Sequence, residues 1–108
     1  MDEDIYFKKG SYALDAEAQE ILKRKAEWLR NNPTVSVVIE GHTDEPGSKE
    51  DNLALGDRRA GAVKTFFLNE GIATERLIPV SYGKERPLAA GGSEADRAKN
   101  RRVHVVVE

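Results

Sequence analysis

The sequence predicts an α/β fold of the two-layer α+β kind, in which two helices pack on one face of a small mixed sheet. Short runs of β-branched and aromatic residues alternate with longer amphipathic segments, in the order βαβαβ, loop, β. A strand–helix–strand unit requires parallel strands joined by a right-handed crossover, which places both helices on the same face. The 108 residues suffice for a single domain, residues 1–108, with a modest core.

The first half of the chain predicts a strand, a helix and a second strand. Residues 5–7 (IYF) predict a short strand after an acidic start. Asp15 is a candidate N-cap for a helix with apolar residues three and four positions apart, and residues 31–33 (NNP) predict its end. Residues 35–39 are rich in β-branched side chains and predict a strand buried on both faces.

The second half predicts a helix and two further strands. Residues 41–49 predict a loop, and residues 51–70 predict a helix that Gly71 ends. Residues 77–82 predict the third strand and residues 103–107 the last one. The segment between them, residues 83–98, contains proline and glycine and is expected to be a long connection.

The helical stripes define the predicted core. Trp28 lies on the apolar stripe of the first helix, together with alanine, leucine and isoleucine side chains. The stripe of the second helix is expected to comprise Leu55, Ala62, Val63, Phe66 and Phe67. Trp28 and Phe66 are therefore predicted to share one core between the helices and the sheet.

Composition excludes several classes of function. The chain has no cysteine, which excludes disulfides, thiolate zinc sites and cysteine catalysis. Its net charge is −2 with both signs interspersed, which argues against nucleic acid as a partner. No apolar stretch approaches the roughly 20 residues of a transmembrane helix. Acidic residues directly follow Met1, so no signal peptide is predicted: the chain is cytoplasmic, or it is a domain of a longer exported protein.

A polar set follows the second predicted strand. The run IEGHTDEPG places Asp44 just beyond this strand, and Asn52 and Arg59 lie two helical turns apart on one helix face. Ligands of open α/β sheets bind beyond the carboxyl ends of the strands. A carboxylate and a guanidinium suit a small zwitterion, because Asp44 can accept from an ammonium while Arg59 binds a carboxylate as a bidentate fork.

Each of these residues also has a structural alternative. An aspartate before a helix is typical of a capped turn, and an asparagine near a helix start is typical of a cap. Arg59 has Asp57 and Glu40 as candidate ion-pair partners. Both interpretations remain open for Asp44, Asn52 and Arg59 on the residues alone.

Catalysis is not predicted. A hydrolase could use His42, Asp44 and Glu45, but no serine or cysteine nucleophile accompanies them, and no three-ligand metal set does either. The spacing of His42 and His104 matches no metal-binding motif, so His42 is expected to be a structural histidine. We therefore predict no cofactor and no metal site.

Five segments in fixed order carry a family resemblance; they read IEGHTDEPG, NLALGDRRAGAVKTFF, GI…RL, VSYGKERP and KNRRV. Together they resemble the OmpA-like C-terminal domain, and within that family the peptidoglycan-associated lipoproteins (Pal), over residues 5–107. The resemblance implies a periplasmic, outer-membrane-associated domain that binds the diaminopimelate-containing peptide stem of peptidoglycan without cleaving it. It also implies a Tol-system periplasmic propeller protein as a second partner.

The resemblance assigns roles by motif position. It implies that Asp44 meets the ligand amine, that Arg59 meets the carboxylate, and that Asn52 supports the same pocket. Arg101 and Arg102 match an NRR motif near the site. Because side chains alternate along a strand, at most one of these two arginines is expected to reach the pocket.

Departures from the family pattern leave a second hypothesis open. They fall in loops around the expected pocket, at Lys9, Gly10, Pro46, Asp51 and Arg97, and the lipid-anchor cysteine of the family is absent. The second hypothesis is a Pal-like scaffold, truncated or engineered, that serves as a protein-interaction module or has lost its ligand. The positive charge of Lys9 favours it, since it would compete with a ligand amine.

Overall fold

The computed structural model describes residues 3–44 and 47–108. Its elements follow in the order β1 (Ile5–Tyr6), α1 (Ala16–Asn31), β2 (Val37–His42), α2 (Lys49–Asn69), β3 (Leu77–Gly83), α3 (Glu94–Asn100) and β4 (Arg102–Val107). A short 3-10 turn, Thr74–Arg76, leads into β3. Among the residues that the structure describes, none of the helices has both the length and the apolar composition of a transmembrane segment.

The four strands form one mixed sheet in the order β1-β4-β2-β3. Strands β2 and β3 are parallel, whereas β4 runs antiparallel to both β1 and β2, between which it lies. The predicted two-layer α+β fold with a small mixed sheet is thus confirmed. Parallel β2 and β3 bring the loops after both strands to the same edge of the sheet.

Helix α1 begins where the sequence predicts, but its buried stripe is narrower than the predicted apolar stripe. The Asp15 carboxylate accepts from the Ala18 N–H at 2.8 Å, and the helix ends at Asn31. Leu22 and Leu29 are fully buried, but Trp28 is 41% exposed. The prediction that Trp28 belongs to the core was wrong, because it flanks the buried stripe rather than lying on it. Its expected partner, Phe66, packs half-buried against the core.

Strand β2 is covered on one face only. Val37 and Ile39 are fully buried, while Val38 and Glu40 between them are half-buried. The predicted burial on both faces was therefore wrong: both long helices cover one side, and the opposite side of the sheet stays open. The strand also continues to His42, two residues into the predicted loop.

Helix α2 is rotated relative to the predicted stripe. Its buried residues are Asn52, Gly56, Arg59, Ala60, Val63 and Phe67, whereas Leu55 and Ala62 are only half-buried. The cause is a backbone contact between α2 and β2. A Cβ atom on Gly41 would lie 1.9 Å from the Gly56 carbonyl oxygen, so the helix can approach the strand only where both residues are glycine.

The predicted long connection contains helix α3. Ser93 caps it, accepting from the Asp96 N–H at 3.1 Å and donating to the Asp96 carboxylate at 2.9 Å. The Asn100 side chain holds the preceding loop through the backbone of Leu88 and Ala89. The seven residues of α3 are too few for a periodic apolar pattern, so only the Ser-x-x-Asp start signal marks it.

Candidate functional site

Thr43 fixes the start of the loop that carries Asp44. Its N–H donates to the Gly83 carbonyl at 2.8 Å, which joins the ends of β2 and β3. Its hydroxyl donates to Asn52 Oδ1 at 3.0 Å, which joins the same loop to α2. Thr43 is only 2% exposed, so both bonds are shielded from water. The residue before Asp44 is therefore held from two elements.

Asp44 has one oxygen engaged and one without a donor. Its side chain is 2% exposed, and Oδ2 lies 3.1 Å from Nη1 of Arg101. Oδ1 is buried and has no hydrogen-bond partner among residues 3–44 and 47–108. An unsatisfied buried acceptor is unfavourable, and more so when it is charged. Oδ1 is thus an acceptor suited to a donor from outside the chain.

Arg101 is held by three partners. Nη1 contacts Asp44, Nη2 lies 2.7 Å from Oε1 of Glu94, and Nε donates to the Phe7 carbonyl at 3.1 Å. Burial lowers the pKa of Arg101, but the hydrogen bond to Glu94 and the charge of Asp44 outweigh it and raise that pKa above its ordinary value. Its guanidinium therefore stays charged at any pH at which the protein is folded.

Arg102 turns away from Asp44. Its Nε lies 3.3 Å from Oδ2 of Asp4. The other oxygen of Asp4, Oδ1, lies 2.6 Å from Nδ1 of His104. The two arginines thus take different partners, as strand alternation predicts. Arg102 does not contact Asp44 and lies with the polar groups of the open sheet face.

Arg59 is fully buried and binds three backbone carbonyls that belong to two segments of the chain. Nε donates to the Ser11 carbonyl at 2.7 Å, Nη1 to that of His42 at 3.0 Å and Nη2 to that of Lys8 at 3.2 Å. Its Cζ lies 5.2 Å from the centre of the Phe7 ring. The side chain joins α2 to the end of β2 and to the loop after β1. In this structure its fork faces carbonyl oxygens rather than solvent.

Asn52 braces the loop at the start of α2. Its Oδ1 accepts from Thr43, and its Nδ2 donates to the Ser48 carbonyl at 3.0 Å. It is 2% exposed. Asn52 therefore acts on Asp44 through Thr43. It is not the helix cap that the sequence left open as an alternative, because Ser48 caps α2.

His42 is a structural residue of the open sheet face. It is 2% exposed, its Nε2 lies 3.3 Å from Oε1 of Glu40, and its ring lies 5.5 Å from that of Tyr82. Its Nδ1 is buried and unpartnered among the described residues. Within residues 3–44 and 47–108, no group of three His, Asp or Glu side chains could share a metal ion. Of the residues of the hydrolase hypothesis, Glu45 lies outside the described ranges.

The free energy of unfolding is expected to fall as the pH drops below about 6.5, because of His42. Burial, and then the charge of Arg102, lower the pKa of His42 from 6.5, although Glu40 opposes them. The unfolded chain then binds the proton first, so stability is complete above the unfolded pKa and declines as pH falls through the folded one. Urea unfolding from about pH 7 to about pH 5 should show this decline, and a smaller one in His42→Gln. Equal slopes in both proteins would contradict it.

Four of the five residues that depart from the family pattern are described, and they lie on the loop after β1, on α2 and on α3. Lys9 and Gly10 are exposed in the loop after β1, and Gly10 has φ +67°. Asp51 is exposed in the first turn of α2, and Arg97 is half-buried in α3. Pro46 lies outside the described residues.

The OmpA family model matches residues 6–101 of the chain. The chain belongs to the OmpA family. It is 43% identical over 103 residues to the peptidoglycan-associated lipoprotein of Brucella melitensis. The aligned region covers 95% of this chain and 61% of that protein. It is 45% identical over 98 residues to the peptidoglycan-associated lipoprotein of Mesorhizobium japonicum, covering 91% and 58%. The chain thus spans about three fifths of the length of these curated relatives.

Solved structures of two other proteins show the same fold as this chain. The crystal structure of the peptidoglycan-associated lipoprotein from Burkholderia pseudomallei matches with a TM-score of 0.95 at 38% identity, covering 99% of this chain and 91% of that chain. The C-terminal domain of Helicobacter pylori MotB matches with a TM-score of 0.90 at 24% identity, covering 98% and 84%. At that identity, the MotB likeness shows the fold alone.

Sequence reasoning missed two residues of this OmpA-family site. Thr43 carried no signal beyond its place in the HTD run, since its partners Asn52 and Gly83 come from other elements. Glu94 did carry one: it begins a helix marked by the Ser-x-x-Asp pattern and precedes Arg101 by seven residues, or two helical turns. Predicting α3 would have placed Glu94 and Arg101 on one face.

Proposed function

We propose that this OmpA-family domain is a noncatalytic peptidoglycan-binding module that recognises the diaminopimelate-containing peptide stem and links the outer membrane to the cell wall in the periplasm. Matches to proteins named peptidoglycan-associated lipoprotein support it. The observation that carries it is Oδ1 of Asp44, a buried carboxylate oxygen with no donor among the described residues.

Asp44 is proposed to accept from the ammonium at the free end of diaminopimelate. An N–H donor would satisfy Oδ1, and a charged donor would form a strong, short hydrogen bond in a site with little water. Arg101 holds the other oxygen and so fixes the direction in which Oδ1 faces. The carboxylate is thereby preorganised for one additional donor.

Arg59 is proposed to meet the ligand carboxylate by exchanging an acceptor. Of its three bonds to backbone carbonyls, the longest is the 3.2 Å bond from Nη2 to the Lys8 carbonyl, which belongs to the loop after β1. A carboxylate that replaces this neutral carbonyl would form a charge-assisted bond, which is roughly twice as strong. Recognition of the carboxylate thus requires the loop at residues 8–11 to shift. Asn52 supports the pocket through Thr43.

The absence of turnover follows from how the acid and base groups are used. His42 is buried against Glu40 and Tyr82, and Asp44 is paired with Arg101. Within the described residues, neither side chain hydrogen-bonds a serine hydroxyl, so no activated nucleophile arises from them. Release of muropeptides from purified sacculi should not exceed the buffer control.

Titration calorimetry with two stem tripeptides tests the proposed function. One ends in meso-diaminopimelate and the other in lysine, which keeps the side-chain amine but lacks the second carboxylate. We expect the diaminopimelate peptide to bind more tightly, because only it can engage both Asp44 and Arg59. If neither the diaminopimelate peptide nor the lysine peptide produces binding heat, the proposal is overturned.

A protein-interaction module is the second candidate function. The exposed charge of Lys9, within the loop that Arg59 holds, favours it, since a cation there opposes a ligand ammonium. A Tol-system periplasmic propeller protein is the proposed partner. This candidate predicts that neither tripeptide binds, and that a purified propeller protein does.

A further inference from the structure

Glu94 ends a row of three charges that begins at Asp44. Its Oε1 lies 2.7 Å from Nη2 of Arg101, and Nη1 of the same guanidinium lies 3.1 Å from Oδ2 of Asp44. We call Asp44, Arg101 and Glu94 the charge chain. Its ends differ in environment, because the side chain of Asp44 is 2% exposed and that of Glu94 is 73% exposed. The chain therefore runs from the buried acceptor to solvent.

Without Glu94, Arg101 would neutralise the site. A buried carboxylate bonded to one guanidinium is an ion pair with no net charge, and such a pair attracts a cation only weakly. Glu94 places a second carboxylate on the same guanidinium, so the charge chain carries net negative charge. Oδ1 of Asp44, which has no donor among residues 3–44 and 47–108, keeps its lone pairs for a ligand at the same time.

Glu94 also fixes the Arg101 fork. Each of the three side-chain nitrogens of Arg101 donates to a different oxygen. Nε donates to the Phe7 carbonyl, Nη1 to the Asp44 carboxylate and Nη2 to the Glu94 carboxylate. With Nη2 engaged outward, only Nη1 faces Asp44, and it reaches one carboxylate oxygen rather than both. A guanidinium free to pair side-on would occupy both oxygens.

We propose that Glu94 is a positioning and specificity-determining residue of the ammonium site, acting through Arg101 to make the site prefer a cationic group. This inference rests on the proposed peptidoglycan function. Because Glu94 is exposed, its electrostatic effect is modest and is screened by salt.

The test compares Glu94→Gln with the native chain by titration calorimetry, using the stem tripeptide that ends in meso-diaminopimelate. Glutamine keeps the size and a hydrogen-bonding oxygen but removes the charge. We expect affinity to fall about two- to fivefold at roughly 0.01 M ionic strength, and by less at about 0.15 M. The matched control is Glu75→Gln. It makes the same charge change on the turn that leads into β3. Because β2 and β3 are parallel, this turn lies at the opposite end of the strands from Asp44.

Each outcome decides the inference. A loss in Glu94→Gln that shrinks with salt, with Glu75→Gln unchanged, supports it. Equal losses in both variants would reflect net charge, and a loss that salt does not alter would reflect structure; either result overturns the inference. Unchanged affinity in Glu94→Gln overturns it and leaves the proposed function standing. A native chain that does not bind the peptide overturns both.

Discussion

Replacing Arg59 by lysine is expected to lower the free energy of unfolding by roughly 3 kcal/mol or more. Arg59 is fully buried and donates to the carbonyls of Lys8, Ser11 and His42, which come from two separate segments of the chain. Lysine has one nitrogen and no planar fork, so it cannot reach all three acceptors. The substitution leaves buried and partly buried carbonyls without donors and keeps a charge among them. Urea unfolding measures the loss.

Arg58→Lys is the matched control for this prediction. Arg58 is the neighbouring residue on α2, is exposed, and contacts the Tyr12 ring with its guanidinium at 5.8 Å. Its replacement should change stability by less than about 0.5 kcal/mol, as is usual at exposed positions. If Arg59→Lys is as stable as Arg58→Lys, the three carbonyl bonds do not hold the loops together.

Gly41→Ala is expected to destabilise the fold by about 3 kcal/mol, or to prevent folding. The added Cβ would lie 1.9 Å from the Gly56 carbonyl oxygen, a backbone atom that can move only if α2 moves. Because Asn52 and Arg59 lie on this helix, its displacement would also separate them from Thr43 and His42. Ligand binding should therefore be lost together with stability.

Gly61→Ala provides the control on the same helix. A Cβ at Gly61 meets nothing within 4 Å, and alanine is favoured over glycine inside a helix. We expect it to stabilise the protein by about 0.5–1 kcal/mol. Thermal unfolding of both variants compares the two glycines directly, and equal effects would mean that close approach of α2 to β2 is not required.

The strands and the two long helices could be predicted because their signals are local. The Asp15 cap acts on Ala18, three residues away, and Gly71 has the positive φ of a residue that ends a helix. The rotation of α2 could not be predicted. It depends on the contact between Gly41 and Gly56, and a glycine carries no signal of which partner it meets.

The candidate site was predictable as a set of residues but not as a set of contacts. Asp44 and Arg59 could be assigned to one end of the sheet from topology and spacing. Their partners could not, since Asp44 pairs with Arg101, 57 positions away, and Arg59 binds Ser11, 48 positions away. Such pairings follow from the order of the strands, which inserts β4 between β1 and β2.

The central claim is that Oδ1 of Asp44 accepts from the ammonium of a peptidoglycan stem. Calorimetric titration of Asp44→Asn with the meso-diaminopimelate tripeptide tests it most directly. Asparagine keeps the shape of the side chain, and Glu94 remains to pair with Arg101. We expect the native chain to bind and Asp44→Asn to show no detectable binding. The native chain should also fail to bind the same peptide when the amine at the free end of its diaminopimelate residue is acetylated. Binding of the tripeptide by Asp44→Asn within about twofold of the native affinity would contradict the claim, because removing a charged partner should cost more than tenfold.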